Sequence, residues 1–535
     1  MSLKGQASSA IWRKGFASAG GTFVSRLLGF ARDLVLAALF PVEATDLFFN
    51  AFTIPNALRG LLAEGATSAA FVPVYSEIRE RQGKKAAIEF AKSFRGFMCL
   101  VLVLVSLVGV LVAPLIAWAY GAGFAASPER FVCFTSLIRL LFPYILLMGL
   151  AALDAGLLNA EGSFFLPALA PLWLNVGLIS AALLSQIFAK DAGLFLLAGG
   201  ALLGGLLHLV FQCFFLRFRS LPFGMRFWPW QKEVFSAFAL LLPLVGGLGI
   251  YQLNVMSSRL LASFLSSGAL SYFYYAQRLV EIPQGMFGVA FATASLASFS
   301  ELRAREDKEA LRRSLDDALS AVTFIALPCT ALYVAMAFPL IRLLFVRGAF
   351  EVASAWETSR SLLWQSLGIW ATAALRVLVP VFHAHRETRW PLLGSAANFL
   401  VFLSAGFALS RQLGHVGLAM ALSLAAFAQL GVLLLLLKRL ELLPSRAFWR
   451  RAMLMGIAAS GGGWTSHLVL KAFDLWQMRE ACRWPIFGVA AFLGLGVFVG
   501  LSWAFQLPEP RFLLEHLGRL LGLNKGGRGA KPERV

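Results

Sequence analysis

Long apolar segments follow one another along this chain of 535 residues. Residues 97–120 and 416–437, for example, contain no charged side chain. Because about 20 apolar residues in a helix cross a bilayer core of about 30 Å, each such run predicts a transmembrane helix. The apolar positions are continuous rather than alternating, which favours helices over the strands of a membrane barrel.

Fourteen transmembrane spans are predicted from this pattern. The first begins near Gly15 and lacks the cleavage-site pattern of a signal peptide, so it is interpreted as a span. The approximate bounds are 15–40, 46–77, 96–118, 131–159, 164–188, 192–216, 234–263, 268–300, 315–341, 352–382, 391–410, 416–437, 452–470 and 484–507.

The composition agrees with a membrane protein. Hydrophobic residues make up 59% of the chain and the mean hydropathy is +0.74. Charged residues make up only 14%, whereas about 25% is usual in soluble domains. We therefore predict an all-α polytopic membrane protein with about 14 transmembrane helices.

The net charge of +19 is explained by topology. Of the 47 Lys and Arg residues, 31 fall in the N-terminal segment, the even-numbered loops and the tail, and eight fall in the odd-numbered loops. This asymmetry follows the positive-inside rule and predicts that both termini are cytoplasmic. Nucleic-acid binding is not needed to explain the charge and is not predicted.

An internal repeat divides the chain. "VPVYSE" ends at Glu77 and "LASFSE" ends at Glu301, and Pro167 and Pro391 lie in similar contexts with the same separation. Six spans per copy give both copies the same orientation, so a pseudo-twofold axis along the membrane normal is predicted. The predicted domains are an N-lobe (1–222, spans one to six), a C-lobe (223–445, spans seven to twelve), spans thirteen and fourteen (446–507) and a cytoplasmic amphipathic, basic tail (508–535).

Four arginines lie deep in the predicted spans. Arg26 is about 16 Å along a helix from the start of span one, and Arg59 is about 20 Å from the outer end of span two. Arg32 and Arg278 are also internal. A lone arginine in a membrane helix costs at least about 2.5–3.5 kcal/mol, so the four require a common reason.

Two explanations stay open at this point. The arginines could form internal ion pairs: Arg32 with Asp33 or Asp46, Arg59 with Glu64, and Arg278 with Glu281. They could instead line a hydrated cavity between the two halves and bind an anion, because a guanidinium group binds phosphate oxygens through two parallel hydrogen bonds.

At these residues the sequence resembles the MurJ (MviN) family, the lipid II flippases of the MOP exporter superfamily. The matching stretches include "SRLLGFARDLVLAALF" in span one, "PNALRGLLAEGATSAAFVPVYSE" in span two and "YYAQRLVEIPQGMFGVA" in span eight. The second stretch is the most specific of them, because it combines a proline, Arg59 and Glu64 at fixed spacing.

The resemblance implies two lobes around a V-shaped cationic cavity, and a groove formed by the last two helices for a long lipid tail. The implied function is alternating-access transport of undecaprenyl-diphosphate-linked disaccharide-pentapeptide, lipid II, from the cytoplasmic to the periplasmic leaflet for cell-wall synthesis. The implied diphosphate-binding residues are Arg26, Arg32, Arg59 and Arg278. The implied gating or charge-pairing residues are Asp33, Asp46, Glu64, Glu281 and Asn56.

No cofactor and no metal site is predicted. The five cysteines and the His383–His385 pair lack the spacing of metal-binding motifs. Some relatives bind sodium through an acidic residue of span seven, and residues 234–263 contain none, which argues against a sodium site. Coupling to the membrane potential or to protons stays open.

The resemblance also implies a location and partners. A monomer in the bacterial inner membrane is expected, with lipid II and membrane lipids as its partners and the cell-wall synthesis machinery as a candidate protein partner. Two transport alternatives stay open: an exporter of another polyprenyl-diphosphate-linked oligosaccharide, and a drug or cation antiporter. An enzyme is not predicted, because the external loops, such as residues 41–45, are short.

Overall fold

The computed structural model describes residues 3–60, 66–188, 192–221 and 224–510. Side chains are described in these ranges except at 3–20, 66–69, 242–251, 285–294 and 297. Every regular element in the described residues is a helix, which confirms the all-α prediction. One short 3-10 helix, Ala122–Ala126, occurs among the α-helices.

The α-helices of the first half of the chain are α1 (Leu3–Leu39), α2 (Val42–Arg59), α3 (Ala66–Leu111), α4 (Ala113–Tyr120), α5 (Pro128–Leu141), α6 (Tyr144–Ala160), α7 (Phe165–Leu169), α8 (Leu172–Phe188) and α9 (Gly193–Phe218). Those of the second half are α10 (Lys232–Ser263), α11 (Ala269–Ala304), α12 (Lys308–Phe345), α13 (Val352–Ser366), α14 (Ile369–Ala384), α15 (Arg389–Leu413), α16 (His415–Arg439), α17 (Arg446–Ala472) and α18 (Glu480–Ala504).

Nine helical stretches in the described part of the chain are long and apolar enough to cross a membrane. Each of them overlaps a predicted span, although Ala70–Leu111 begins well before the predicted start of span three at residue 96. Residues of the other five predicted spans are helical too, in α1, α2 with the start of α3, α10, α11 and α17. The count of fourteen stays a prediction.

Several predicted spans are built from two helices. Span four consists of α5 and α6, which separate at Phe142 and Pro143, because a proline lacks the N–H that would continue the helical hydrogen bonds. Conversely, α3 runs through the predicted loop between spans two and three. It is interrupted only at Gly83, whose φ of 86° lies in the left-handed region that glycine adopts without strain.

Helix ends recur at the spacing of the sequence repeat. The pair α5 and α6 extends from Pro128 to Ala160, and the pair α13 and α14 extends from Val352 to Ala384. Both ends of the second pair are displaced from those of the first by the same number of residues that separates Glu77 from Glu301, and each pair contains one break near its middle. The C-terminal ends of α1 and α10, at Leu39 and Ser263, have this separation as well.

The chain forms two compact units. Unit 1 comprises Met1–Tyr275, Leu344–Thr358 and Leu403–Leu418, and unit 2 comprises Ala276–Leu343, Ser359–Phe402 and Ala419–Val535. These units group residues by spatial contact, and the predicted lobe boundaries at 222 and 445 stay predictions.

Each unit contains helix pairs that pack through small residues. In unit 1, α8 and α9 meet at Gly177 and Gly200, where a Cβ on Gly177 would overlap the Gly200 carbonyl oxygen. In unit 2, α17 and α18 meet at Gly462 and Gly494, and Ser466 donates a hydrogen bond to the Ala490 carbonyl at 2.9 Å. Such close approach is how helices associate in lipid, where apolar burial between them gives little driving force.

Candidate functional site

Arg32 of α1 is the centre of a buried polar network in unit 1. Its guanidinium donates to Asp33 Oδ1 at 2.6 and 3.0 Å, to Asn175 Oδ1 at 3.1 Å and to the Tyr274 hydroxyl at 3.2 Å. Asp33 is fully buried, and Tyr274 also donates to its Oδ1 at 3.4 Å. The predicted pairing of Arg32 with Asp33 is therefore confirmed.

This network joins three elements that are far apart in the sequence. Asn175 lies on α8 and donates from its amide nitrogen to the Ser25 carbonyl at 3.2 Å, while Tyr274 lies on α11. Asn175 packs against Gly29, one turn before Arg32, where a Cβ would meet the amide at an ordinary contact distance of 3.6 Å. Asn175 and Tyr274 were not predicted as site residues.

Arg59 ends α2 and is half-buried. Its Nε donates to Asn56 Oδ1 at 3.0 Å, and the gating or charge-pairing role implied for Asn56 stays a prediction. Phe52, on the same helix as Arg59, packs on Tyr144, a buried residue of α6, with ring centroids 5.2 Å apart. Arg59 and Arg32 both belong to unit 1. The predicted partner of Arg59, Glu64, lies outside the described residues.

Arg26 is exposed on α1. Its guanidinium makes no hydrogen bond or ion pair with the described side chains, and it is not a member of the Arg32 network. Phe23 and Leu27 beside it are 59% and 61% exposed. The side chain is thus available to a ligand or to lipid.

Asp46 does not pair with Arg32. It is buried on α2 and accepts two backbone N–H groups, from Gly268 at 2.7 Å and from Ser271 at 2.7 Å. The first N–H groups of a helix have no partner within that helix, so a carboxylate from a neighbouring helix can cap them and also favours the positive end of the helix dipole. Asp46 therefore caps the start of α11.

Further contacts surround this cap, and together they form what we call the Asp46 latch: Asp46, Thr45, Val42, Gly268 and Ser271. The Thr45 and Ser271 hydroxyl oxygens are 2.7 Å apart, and Ser271 donates to the Val42 carbonyl at 3.0 Å. The latch fastens α2 to the beginning of α11 through main-chain as well as side-chain groups.

A second contact between segments far apart in the sequence occurs at the end of α1. The Ala349 N–H donates to the Ala38 carbonyl at 2.8 Å, and the Phe30 and Phe345 rings meet edge to face at 6.2 Å. Gly348 adopts φ 58°, and a Cβ there would overlap the Ala38 carbonyl oxygen. A glycine is therefore required at this contact. Both contacts lie at helix ends that the predicted topology places on the non-cytoplasmic side of the membrane.

Arg278 and Glu281 belong to unit 2. They form an ion pair of 2.9 Å at spacing i, i+3 on α11, as predicted, and their side chains are 36% and 45% exposed. Pro283 follows within the same helix. The predicted convergence of Arg278 with Arg26, Arg32 and Arg59 stays a prediction.

A buried charge pair was missed by the sequence analysis. Arg95 of α3 donates to Asp154 Oδ2 of α6 at 3.0 Å, and the two side chains are 8% and 3% exposed. Arg95 also lies 3.2 Å from the Cys213 sulfur of α9. The hydropathy pattern places Arg95 just outside span three and gives Asp154 no partner within its own span. The pair ties three helices of unit 1 together.

Comparison with known proteins identifies the family. The family profile described as "Lipid II flippase MurJ" matches residues 36–478. The chain belongs to the MurJ family. A MurJ relative from Vibrio cholerae, "Probable lipid II flippase MurJ", is 31% identical over 514 residues, covering 92% of this chain and 95% of the relative. The "Lipid II flippase MurJ" of Burkholderia cenocepacia is 30% identical and covers 90% and 95% of the two chains.

Solved structures agree with this membership. A structure described as "Lipid II flippase MurJ, inward closed conformation" matches with a TM-score of 0.76 at 25% identity, over 91% of this chain and 98% of that one. An inward-facing multidrug resistance MATE transporter of the MOP superfamily matches with a TM-score of 0.66 at 14% identity, covering 81% and 99%, and shares the fold. With its apolar helices, this MurJ family member is an integral membrane protein.

Proposed function

We propose that this protein moves lipid II from the cytoplasmic to the periplasmic leaflet of the bacterial inner membrane by alternating access. Family membership over most of the chain carries this proposal. The protein acts as a transporter, since no bond of the lipid has to be made or broken. It works as a monomer with both termini in the cytoplasm, and lipid II and the surrounding lipids are its partners.

The physical problem is to move a diphosphate past hydrocarbon. Burying an unpaired charge is prohibitive, so the headgroup needs protein groups in place of its hydration shell. Arg26, Arg32 and Arg59 all belong to unit 1, and Arg26 has no protein partner in the described part of the chain. These guanidinium groups, joined by Arg278, bind the diphosphate oxygens in pairs. The polyprenyl tail stays in lipid throughout.

The Asp46 latch controls access to the headgroup site from the periplasmic side. While Asp46 caps α11, the outer helix ends of unit 1 stay fastened and the headgroup site is closed to the periplasm. Release of the two N–H bonds lets α2 and the start of α11 separate and opens the outer side. Burial removes the hydration of the Asp46 carboxylate, and the two backbone N–H groups replace it. The closed arrangement is therefore stable only while both hydrogen bonds are made.

The energy source is the membrane potential or protons, and no sodium ion or cofactor is involved. An anionic headgroup that leaves an inside-negative compartment gains about 2.3 kcal/mol per charge for each 100 mV. The direction of this force matches outward transport.

The test of this function is complementation of a bacterium depleted of its own lipid II flippase. The wild-type chain should restore growth, and alanine at Arg26 or Arg278 should remove most of that rescue. The control is Arg411→Ala, because Arg411 is an exposed arginine that stacks on Phe407 at 4.0 Å and lies outside the proposed site. Full rescue by both site variants would contradict the diphosphate site.

A second arm separates lipid II from related lipids. Reconstituted vesicles should transport fluorescent lipid II at least about tenfold faster than an undecaprenyl-diphosphate-linked O-antigen unit, a difference of about 1.4 kcal/mol in the barrier. Faster transport of the O-antigen unit would contradict lipid II as the substrate, but it would not contradict the diphosphate site.

Glu281→Gln should strengthen binding of a diphosphate lipid by about two- to fivefold. The carboxylate competes with phosphate for Arg278, and a half-exposed pair of this kind contributes about 0.2–1 kcal/mol. The measurement is a titration with undecaprenyl diphosphate in detergent. Glu301→Gln is the control, because it removes a pair with Arg305 at the C-terminal end of α11, where both groups are more exposed. Weaker binding after Glu281→Gln would contradict the competition.

A further inference from the structure

Two arginines of unit 2 lie over one indole ring near the C-terminal end of α12. The Arg342 guanidinium carbon lies 3.6 Å from the centroid of Trp476, and the Arg483 guanidinium carbon lies 5.6 Å from the same centroid. Phe338 packs against Trp476 with ring centroids 6.4 Å apart. We call Arg342, Trp476 and Arg483 the indole site.

The two guanidinium groups are poorly compensated within the protein. Arg342 makes no hydrogen bond or ion pair with the described residues, and a second cation, Arg483, lies over the same ring. Arg483 has a buried Nε without a partner in the described chain and reaches only Glu480, at 3.4 Å. Glu480 is 91% exposed, so that pair contributes little.

The surroundings are basic and lie at the edge of an apolar surface. Lys471 and Arg479 are exposed nearby, while the local acids are Asp474 and Glu480. Beneath the ring is a buried cluster, and the adjacent Phe473 and Trp484 are 49% and 48% exposed. Aromatic side chains beside basic ones are typical of the depth at which a protein meets lipid headgroups. The buried cluster consists of Met336, Leu470, Leu475 and Ala490.

We propose that the indole site binds the phosphate group of a membrane lipid. Two guanidinium groups oriented by one indole present several N–H donors to the same space, and an anion there relieves their mutual repulsion. The exposed Phe473 and Trp484 contact the glycerol and upper acyl region of the same lipid. On the predicted topology this lipid lies in the periplasmic leaflet, beside α17 and α18. The site is independent of the arginines proposed to hold the transported diphosphate.

The experiment is a titration of the full-length protein in neutral detergent with phosphatidylglycerol, with retained lipid counted by native mass spectrometry. Arg342→Gln and Arg483→Gln should each weaken binding of the tightest lipid about five- to tenfold, and the double variant should abolish it. Arg439→Gln is the matched control, because Arg439 stacks on Trp390 at 5.2 Å and no other cation of the described residues lies over that ring. Unchanged binding in the double variant would refute the site.

Two further arms keep the result interpretable. Arg342→Lys replaces Arg342→Gln if the glutamine variant proves unstable. The lysine keeps the charge and removes the flat stacking group, so this variant should fold like the wild type and bind the lipid at least about threefold more weakly. Inorganic phosphate at millimolar concentration should not displace the lipid, and displacement would mean a free-anion site instead of a lipid site. Lipid II transport by Arg26→Ala, measured alongside, reports separately on the proposed function.

Discussion

Alanine at Arg32 should stop transport and also destabilise the fold, whereas alanine at Arg59 should stop transport alone. Removing Arg32 leaves Asp33 buried without its cation, and breaking a buried pair of this kind costs about 3–5 kcal/mol. Arg59 is only half-buried, so its removal costs the fold little. Loss of its charged hydrogen bonds to a diphosphate should slow transport by about 10- to 100-fold.

The difference is measured by thermal unfolding in detergent together with lipid II transport in vesicles. The double variant Arg32→Met, Asp33→Asn separates the two roles, because it removes both buried charges at similar volume. It should recover most of the lost stability and none of the transport. Recovery of transport would mean that Arg32 acts only as the structural partner of Asp33.

Asparagine at Asp46 should open the outer end of unit 1. An asparagine offers one acceptor oxygen where the carboxylate offers two. Its NH2 group would face a backbone N–H, and two donors cannot form a hydrogen bond with each other. Loss of one charge-assisted hydrogen bond of the latch costs about 2–3 kcal/mol, which is roughly a 30- to 150-fold shift in the closed–open equilibrium. Transport should fall as well, because the state closed to the periplasm is depleted.

Hydrogen exchange reports on this latch directly, since its donors are amides. Peptides that cover residues 266–275 should lose protection in Asp46→Asn at Gly268 and Ser271. Glu43→Gln serves as the comparison: Glu43 is exposed one turn earlier on α2 and makes none of the latch bonds. Equal protection in wild type and Asp46→Asn would show that the cap does not hold the outer end closed.

Much of the fold could be predicted because membrane helices are encoded by local hydropathy. The bounds of α9 and α16, Gly193–Phe218 and His415–Arg439, lie close to those of the predicted spans. The break between α13 and α14 was not predicted, because a glycine leaves hydropathy almost unchanged. The continuation of α3 through the predicted loop between spans two and three was missed as well, because charged residues lower hydropathy without ending a helix.

The charge network was predictable only where its members are neighbours in sequence. Arg32 with Asp33 and Arg278 with Glu281 follow from adjacency and helical spacing. Asn175 and Tyr274 approach Arg32 from 143 and 242 residues away, and no local pattern marks them. The partners of Asp46 are main-chain groups, which a sequence does not distinguish from any other amide.

Because Asp46 binds main-chain amides, positions 46 and 271 are under unequal constraints during evolution. Position 46 must keep a carboxylate, since no other side chain offers two acceptor oxygens at this length. Position 271 contributes its amide, which every residue except proline possesses, so its side chain can drift at the cost of the hydroxyl contacts alone. An acid at position 46 and a varied residue at position 271 would then show no covariation, although the two residues touch.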